Sequence, residues 1–339
     1  FIYYNLMFAS EILHLNDSSY GDGYKGILTS GAANTLWAQT YLFRSNWAAV
    51  IGLCNQVINS NQYSLANNFS DVWRDGVDGA GKNGPESIWE MQANDGPNAV
   101  NNPSVENGSF WATTQEVRQN GASNDWNLGW GWNTPTQHLV DAWDSTDPRK
   151  AQTILYSGQF DGGPALGGFG ATLPPYTNPD GSGGLAQKYW NKKVYTGDDP
   201  AMRQLTGFIK SNGGAFWVNH RILRYDDVIL MLAEASNETG DGATAENMLE
   251  KIRARARMNN NAVLPHIAFV DQAQMRQAIK DERRWEFAME GYRFYDLVRW
   301  GDAVSVLGPF GYTNRARFYP IPQKAIDISG GVLVQNPEW

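Results

Sequence analysis

The stretch Arg283-Arg284-Trp285-Glu286-Phe287-Ala288-Met289-Glu290-Gly291-Tyr292-Arg293-Phe294-Tyr295-Asp296-Leu297-Val298-Arg299-Trp300-Gly301-Asp302 decides how the rest of the chain is read. Apolar and charged residues alternate at helical period on both sides of Gly291. That glycine can take the left-handed conformation of a helix end. The pattern therefore predicts two helices meeting at residue 291. Glu286, Glu290, Arg293, Asp296 and Arg299 follow at spacings of four, three, three and three, which would align opposite charges along one flank if the helix ran on.

Helical signals gather at the two ends of the chain. Residues 1–15 read as an amphipathic helix, and 32–44 with 47–60 as a pair joined by Ser45-Asn46. Residues 222–236 and 243–258 form a second pair across Gly240-Asp241-Gly242. A third, 271–290 with 292–307, opens on Asp271 and Gln274 at capping-box spacing. Short connections make helical hairpins of such pairs. They are like tetratricopeptide units, although no strict repeat is visible. Between 70 and 220 the chain is rich in Gly, Pro, Asn and Trp; Ser87 to Gln92 alternates as a short strand, and 161–184 reads as a long surface loop. The expected fold is mainly α, with tetratricopeptide-like hairpins, long irregular insertions and a few short strands.

Composition narrows the function. With 27 basic and 35 acidic residues the net charge is −8, which argues against nucleic-acid binding. No apolar run approaches the length of a membrane-spanning helix. There are 14 Trp, 15 Tyr and 14 Phe, yet only 18% of residues are charged, a balance suited to neutral polar ligands. The single cysteine, Cys54, lies on the apolar stripe Trp47, Val50, Ile51, Cys54, Val57, Ile58 and reads as a buried structural thiol.

Several patterns imitate chemistry. Gly76 to Asn83 is one residue from a phosphate-binding loop, but Asn83 stands where Ser or Thr would hold magnesium, and Gly84-Pro85 opposes the helix that must follow. Asp75 and Glu86 have the spacing of the ends of an EF-hand loop, but Val77, Gly79 and Ala80 exclude one and leave open only a looser calcium site. The four histidines, His14, His138, His220 and His266, lack zinc spacing, and no nucleophile elbow is present. Glu286, Glu290 and Asp296 have arginines beside them, which would hold them ionised as structural ion pairs rather than poised as glycosidase acids. No catalytic residue, metal site or cofactor is assigned.

Taken as words, residues 282–302 (ERRWEFAMEGYRFYDLVRWGD) resemble the signature of the SusD/RagB family of Bacteroidetes-type bacteria. Four further stretches share the likeness in order: Asn46 to Leu65, Trp130 to Arg149, Ile222 to Ala235 with Asn247 to Arg257, and Phe318 to Gln323 with Val334 to Pro337. The resemblance implies a cell-surface, lipid-anchored outer-membrane protein that captures oligo- or polysaccharide and passes it to a SusC-like TonB-dependent transporter. It also implies a lipoprotein signal, a lipid-bearing cysteine and further helices ahead of the position of Phe1. On that frame, residues 1–70 are the remainder of an N-terminal helical region. Residues 71–339 are the family's C-terminal region, loop-rich over 71–220, helical over 221–308 and closing over 309–339, all in one compact unit.

Aromatic faces pack on the C–H faces of sugar rings, and polar side chains bind the hydroxyls. Loop aromatics are therefore the candidate glycan contacts: Trp111, Trp126, Tyr176, Trp190 and Tyr195. Trp130, Trp132, Trp285 and Trp300 fall in family-recurrent stretches and are expected to be structural. The rival readings are an enzyme acting on polysaccharide and a helical-repeat adaptor for another protein.

Overall fold

Thr29 and Asn46 start the first hairpin: each side-chain oxygen accepts a backbone N–H of the first helical turn, from Ala32 at 3.2 Å and Ala49 at 3.4 Å. They cap α2 (Ser30–Leu42) and α3 (Trp47–Asn59), which follow α1 (Ile2–Ile12). The structure, a computed structural model, describes residues 1–15, 25–74, 81–93, 110–120, 126–177, 183–197 and 218–339. The expected stripe on α3 holds: Val50, Cys54 and Val57 are buried, and burial pushes the Cys54 thiol far up from its ordinary range. The elements that follow are β1 (Ser87–Met91), α4 (Phe110–Gln115), α5 (Gln137–Ala142), α6 (Pro148–Thr153), β2 (Ile154–Tyr156), β3 (Tyr189–Asn191) and β4 (His220–Arg224). The second hairpin is α7 (Tyr225–Glu238) with α8 (Gly242–Ala256); then come α9 (Gln272–Glu286), α10 (Tyr292–Trp300), α11 (Ala303–Leu307) and α12 (Gln323–Ile328). The fold is mainly α, as expected.

Helix α7 is buried from Tyr225 to Asn237, and α3, α8 and α9 pack around it. Its start differs from the expected 222–236. Residues 222–224 belong to β4, which pairs antiparallel with β1 in the register Ser87↔Arg224 and Met91↔His220. A second short ribbon joins β2 to β3, Ile154↔Asn191 and Tyr156↔Tyr189.

The ribbon and the helices bring arginines and carboxylates together inside the core. Arg149 reaches Asp147 at 2.8 Å, Glu282 at 2.6 Å and Glu286 at 3.0 Å. Arg255 binds Glu86 at 2.9 Å and also Glu286; Arg224 binds Glu86 at 2.5 Å and also Asp226; Arg253 binds Glu282 at 2.8 Å. All are buried. Burial alone would raise the Glu286 carboxyl, but Arg255, Arg149 and Arg224 hold it well below the usual range. Asp226 goes the other way: burial, and the charges of Glu86 and Glu286, push it well up against the pull of Arg224. Arg149, Arg224, Arg253 and Arg255 thus face the carboxylates Glu86, Asp147, Glu282 and Glu286, with Asp226 against Arg224 as well.

This corrects the charge ladder expected along 286–299. The helix stops at Glu286, Met289 takes φ 70° and Gly291 φ 90°, which breaks the helical spacing, and Glu286 itself enters the core network. Arg283 pairs with Asp227 at 2.8 Å, and within α10 Arg299 pairs with Asp296 at 2.8 Å. Of the expected capping box, Asp271 accepts from the Gln274 N–H at 2.8 Å.

The chain divides into two compact units, Phe1–Met289 and Glu290–Trp339. In the second unit the closing segments meet: the Gln335 side chain bonds both the N–H and the C=O of Ile321, at 2.8 and 2.9 Å, and the Asn336 amide donates to the Tyr319 carbonyl at 2.6 Å.

Removing one member of a buried charge network leaves its partners unpaired, whereas an exposed pair is worth little. Arg149→Met is expected to cost about 3–5 kcal/mol in urea unfolding. Arg276→Ala, which breaks a half-exposed pair with Glu238, is expected to cost under about 1 kcal/mol. Equal small losses for both would refute the assigned role of the network.

Candidate functional site

Helix α4 and the segment after it form a template for residues 126–133. Leu128 and Gly129 donate to the Val117 carbonyl at 3.0 and 2.9 Å, Trp130 to Thr113 at 2.9 Å, Gly131 to Glu116 at 3.0 Å and Trp132 to Thr114 at 2.8 Å. Side chains lock the ends: Trp126 N–H to Gln119 at 2.9 Å, Gln119 N–H to Asn127 at 2.9 Å, and Asn133 to Gln115 at 2.6 Å. The glycines make this approach possible. A Cβ at position 129 would collide with the Thr113 carbonyl oxygen and the Glu116 Cβ. Gly131 sits at φ 72°, a conformation L side chains rarely adopt.

The result is a cluster of outward aromatics. Trp130 and Trp132 meet edge to face at 5.1 Å, and Phe110 lies 5.6 Å from Trp130. Trp132 is 61% exposed, and Trp130 and Phe110 are each 36% exposed. Trp130 and Trp132 were expected to be structural; instead both are exposed to solvent. Their signal in the sequence is Gly129-Trp130-Gly131-Trp132-Asn133, where glycines beside each indole deny it a helix or strand neighbour to pack on.

Two residues beyond Trp132 the chain enters an open groove of about 390 Å³. Thr134, Thr136 and Gln137 line it, together with Tyr176, Gln187, Lys188 and Tyr189. Tyr189 donates to Gln137 Oε1 at 2.7 Å, and Lys188 Nζ stands 5.8 Å from the Tyr176 ring centre. Flat rings beside uncharged hydroxyl and amide groups are the chemistry that binds a sugar ring by its faces and its hydroxyls.

The five aromatics selected from the sequence are not brought together. Tyr176 is half-buried in the groove. Trp126 is half-buried against the core cluster that contains Val117, Leu155 and Trp190. Trp111 is half-buried and stacked on His220 at 4.3 Å. Trp190 is wholly buried and donates to Ser157 Oγ at 3.0 Å; Tyr195 is buried, its hydroxyl donating to Asp161 at 3.3 Å. Neither Trp190 nor Tyr195 offers a face to solvent, because β3 and the turn after it run through the core.

The expected surface loop 161–184 is also more ordered than its composition suggests. The buried Asp161 carboxylate accepts the N–H groups of Gly163, Phe169 and Gly170 at 2.9, 2.7 and 3.1 Å, folding 161–170 around itself. Residues 178–182 lie outside the described residues, as do Asp75 and most of the phosphate-loop imitation. Glu86, the other end of the calcium-loop spacing, is committed to Arg224 and Arg255.

Beneath the aromatics lies Glu116, a buried carboxyl with no cation within ion-pair distance among the described residues. It accepts from Thr196 N–H and hydroxyl at 2.6 and 2.7 Å and from Val117 N–H at 3.0 Å. Burial pushes it up to about 7 against those hydrogen bonds.

These features define a helical-hairpin scaffold that displays loop aromatics and a polar groove. The chain belongs to the SusD family, whose model matches residues 85–339. SusD-like protein P25 of Formosa agariphila is 26% identical over 338 residues, covering 93% of this chain and 60% of that protein. SusD-like protein P38 of the same organism is 25% identical over 305 residues, covering 84% and 54%. The chain thus spans roughly half to three-fifths of the length of these relatives. Among solved structures, surface glycan-binding protein A from Bacteroides thetaiotaomicron in complex with laminarihexaose is 22% identical with a TM-score of 0.70, over 98% of this chain and 70% of that one. A laminarin binding SusD-like protein is 25% identical with a TM-score of 0.70, over 99% and 68%. The relatives are named as SusD-like and glycan-binding proteins, not as enzymes.

Because folding favours the protonated form of Glu116, its contribution is complete below pH 4.5 and is lost as pH rises through about 7. Relative to Glu116→Gln, which cannot ionise, the wild type is expected to lose up to roughly 3 kcal/mol between pH 4.5 and 8 in denaturant unfolding. A wild-type-minus-variant difference that does not change with pH would contradict this.

Proposed function

We propose that this chain is a non-enzymatic glycan-capture protein of the cell surface. On this reading it is lipid-anchored in the outer membrane and hands oligo- or polysaccharide to a SusC-like TonB-dependent transporter. The observation that carries the reading is the exposed cluster Phe110, Trp130 and Trp132 leading directly into a groove with Tyr176. Rings held by backbone hydrogen bonds are pre-organised, so stacking on a sugar costs little ordering of the protein. Ligand contact is assigned to these four aromatics, with half-buried Trp111 and Trp126 bracing the loops behind them. The ligands named for related proteins, laminarin and laminarihexaose, support a glucan-type backbone as the first probe. No helix among the described residues is long and apolar enough to cross a membrane, so the lipid anchor would make the membrane attachment.

Titration calorimetry with laminarihexaose, and affinity electrophoresis through a panel of neutral and acidic polysaccharides, tests the site. Trp130→Ala and Trp132→Ala are each expected to weaken binding roughly tenfold, on the order of 1.4 kcal/mol, with unchanged circular dichroism. Full affinity in the double variant removes the site. Release of reducing ends from a bound oligosaccharide replaces capture with catalysis.

A further inference from the structure

Most arginines described in the core are spent on carboxylates, as Arg149, Arg224, Arg253, Arg255 and Arg283 show. Two cations at the aromatic cluster and groove are not. Arg118 and Lys188 are both exposed, and no carboxylate of the described residues lies within ion-pair distance of either. Arg118 stands against the platform: a Cβ at Gly131, between the two exposed tryptophans, would lie 3.0 Å from the Arg118 Cβ. Its carbonyl accepts from Ala186 at 2.9 Å, two residues before Lys188, so one stretch of backbone pairing ties both cations to the site. Lys188 lines the groove beside Tyr176. No carboxylate lines that groove among the described residues, and the nearby Asp141 is already engaged by the Gln137 amide at 2.8 Å. In a chain of net charge −8, an exposed cationic pair with no matching acid among the described residues is a local reversal of sign at the place where ligand would sit.

We propose that this site selects glycans bearing an anionic substituent, a uronate carboxylate or a sulfate ester, with Arg118 and Lys188 as its counter-ions. The inference rests on the glycan-capture reading and names its substrate class. The planar Arg118 fork suits two-point bonding to a carboxylate or sulfate, while Lys188 supplies a point charge from the groove wall. The aromatics hold the sugar faces, and the cations choose among chains that stack equally well.

Three probes separate the outcomes: laminarihexaose as the neutral glycan, an oligogalacturonate for carboxylate and a carrageenan oligosaccharide for sulfate. Each is titrated into wild type and into the Arg118→Gln/Lys188→Gln variant at low and high salt. The wild type is expected to prefer one anionic probe, which identifies the substituent, and to lose that preference as salt rises. The double variant is expected to lower the anionic-to-neutral affinity ratio on the order of tenfold, with Arg118→Lys/Lys188→Arg retaining most of it. Wild-type binding of the neutral probe alone, or an unchanged ratio in the double variant, overturns the anionic selectivity and leaves capture standing. Binding of no glycan in any screen overturns the capture reading and this inference together.

Discussion

The buried carboxylate of Glu286 is the constraint on which the first unit depends. It takes Arg255 from α8, Arg149 from the start of α6 and the approach of Arg224 from the end of β4. Through Glu86 and Glu282 the same arginines bind the approach to β1 and the body of α9. Segments more than a hundred residues apart are thereby held in one low-dielectric cluster, where any missing partner would strand a charge. Such a cluster is poor evidence of extra stability compared with an apolar core, but it admits one arrangement of its members. The irregular middle of the chain needs such a reference, because it has little helix or sheet of its own.

The second level of order is backbone pairing within the loops. The N–H groups of 128–132 donate to the carbonyls of 113–117 without forming a regular sheet, and the Asp161 carboxylate accepts N–H groups of 163–170 in the same way. A buried loop must account for its polar backbone in this way. Loops fixed so firmly can present large aromatic side chains to water, and exposed aromatic patches of this kind are what the glycan-capture proposal rests on.

Much of the scaffold was legible beforehand. The hairpins α2–α3 and α7–α8, the strand at 87–91, the turn at Gly291 and the buried Cys54 follow from period, capping residues and glycine placement, all local properties of the chain. The ionised state of Glu286 was also legible, since arginines surround it in sequence. Its partners were not: they come from residues 86, 149, 224 and 255, and no local spacing points to them. The candidate site shows the same division. Tyr176, chosen for its polar loop, does line the groove, whereas Trp190 and Tyr195 are buried because the β2–β3 ribbon and the turn after it carry their segment through the core. Trp130 and Trp132 were assigned to the scaffold on the strength of a recurrent stretch, although their flanking glycines marked them as unlike core residues.

By itself, then, the sequence determined the family, the mainly helical architecture and the absence of a basic nucleic-acid-binding character. Those properties depend on composition and on patterns a few residues long, which the chain states directly. Only the tertiary structure decided which arginine neutralises which carboxylate and which tryptophans face water. It also decided where two cations, unpaired among the described residues, stand at the aromatic cluster and the groove. Those depend on long-range pairing, where burial and Coulomb energy act between residues that the chain order keeps far apart.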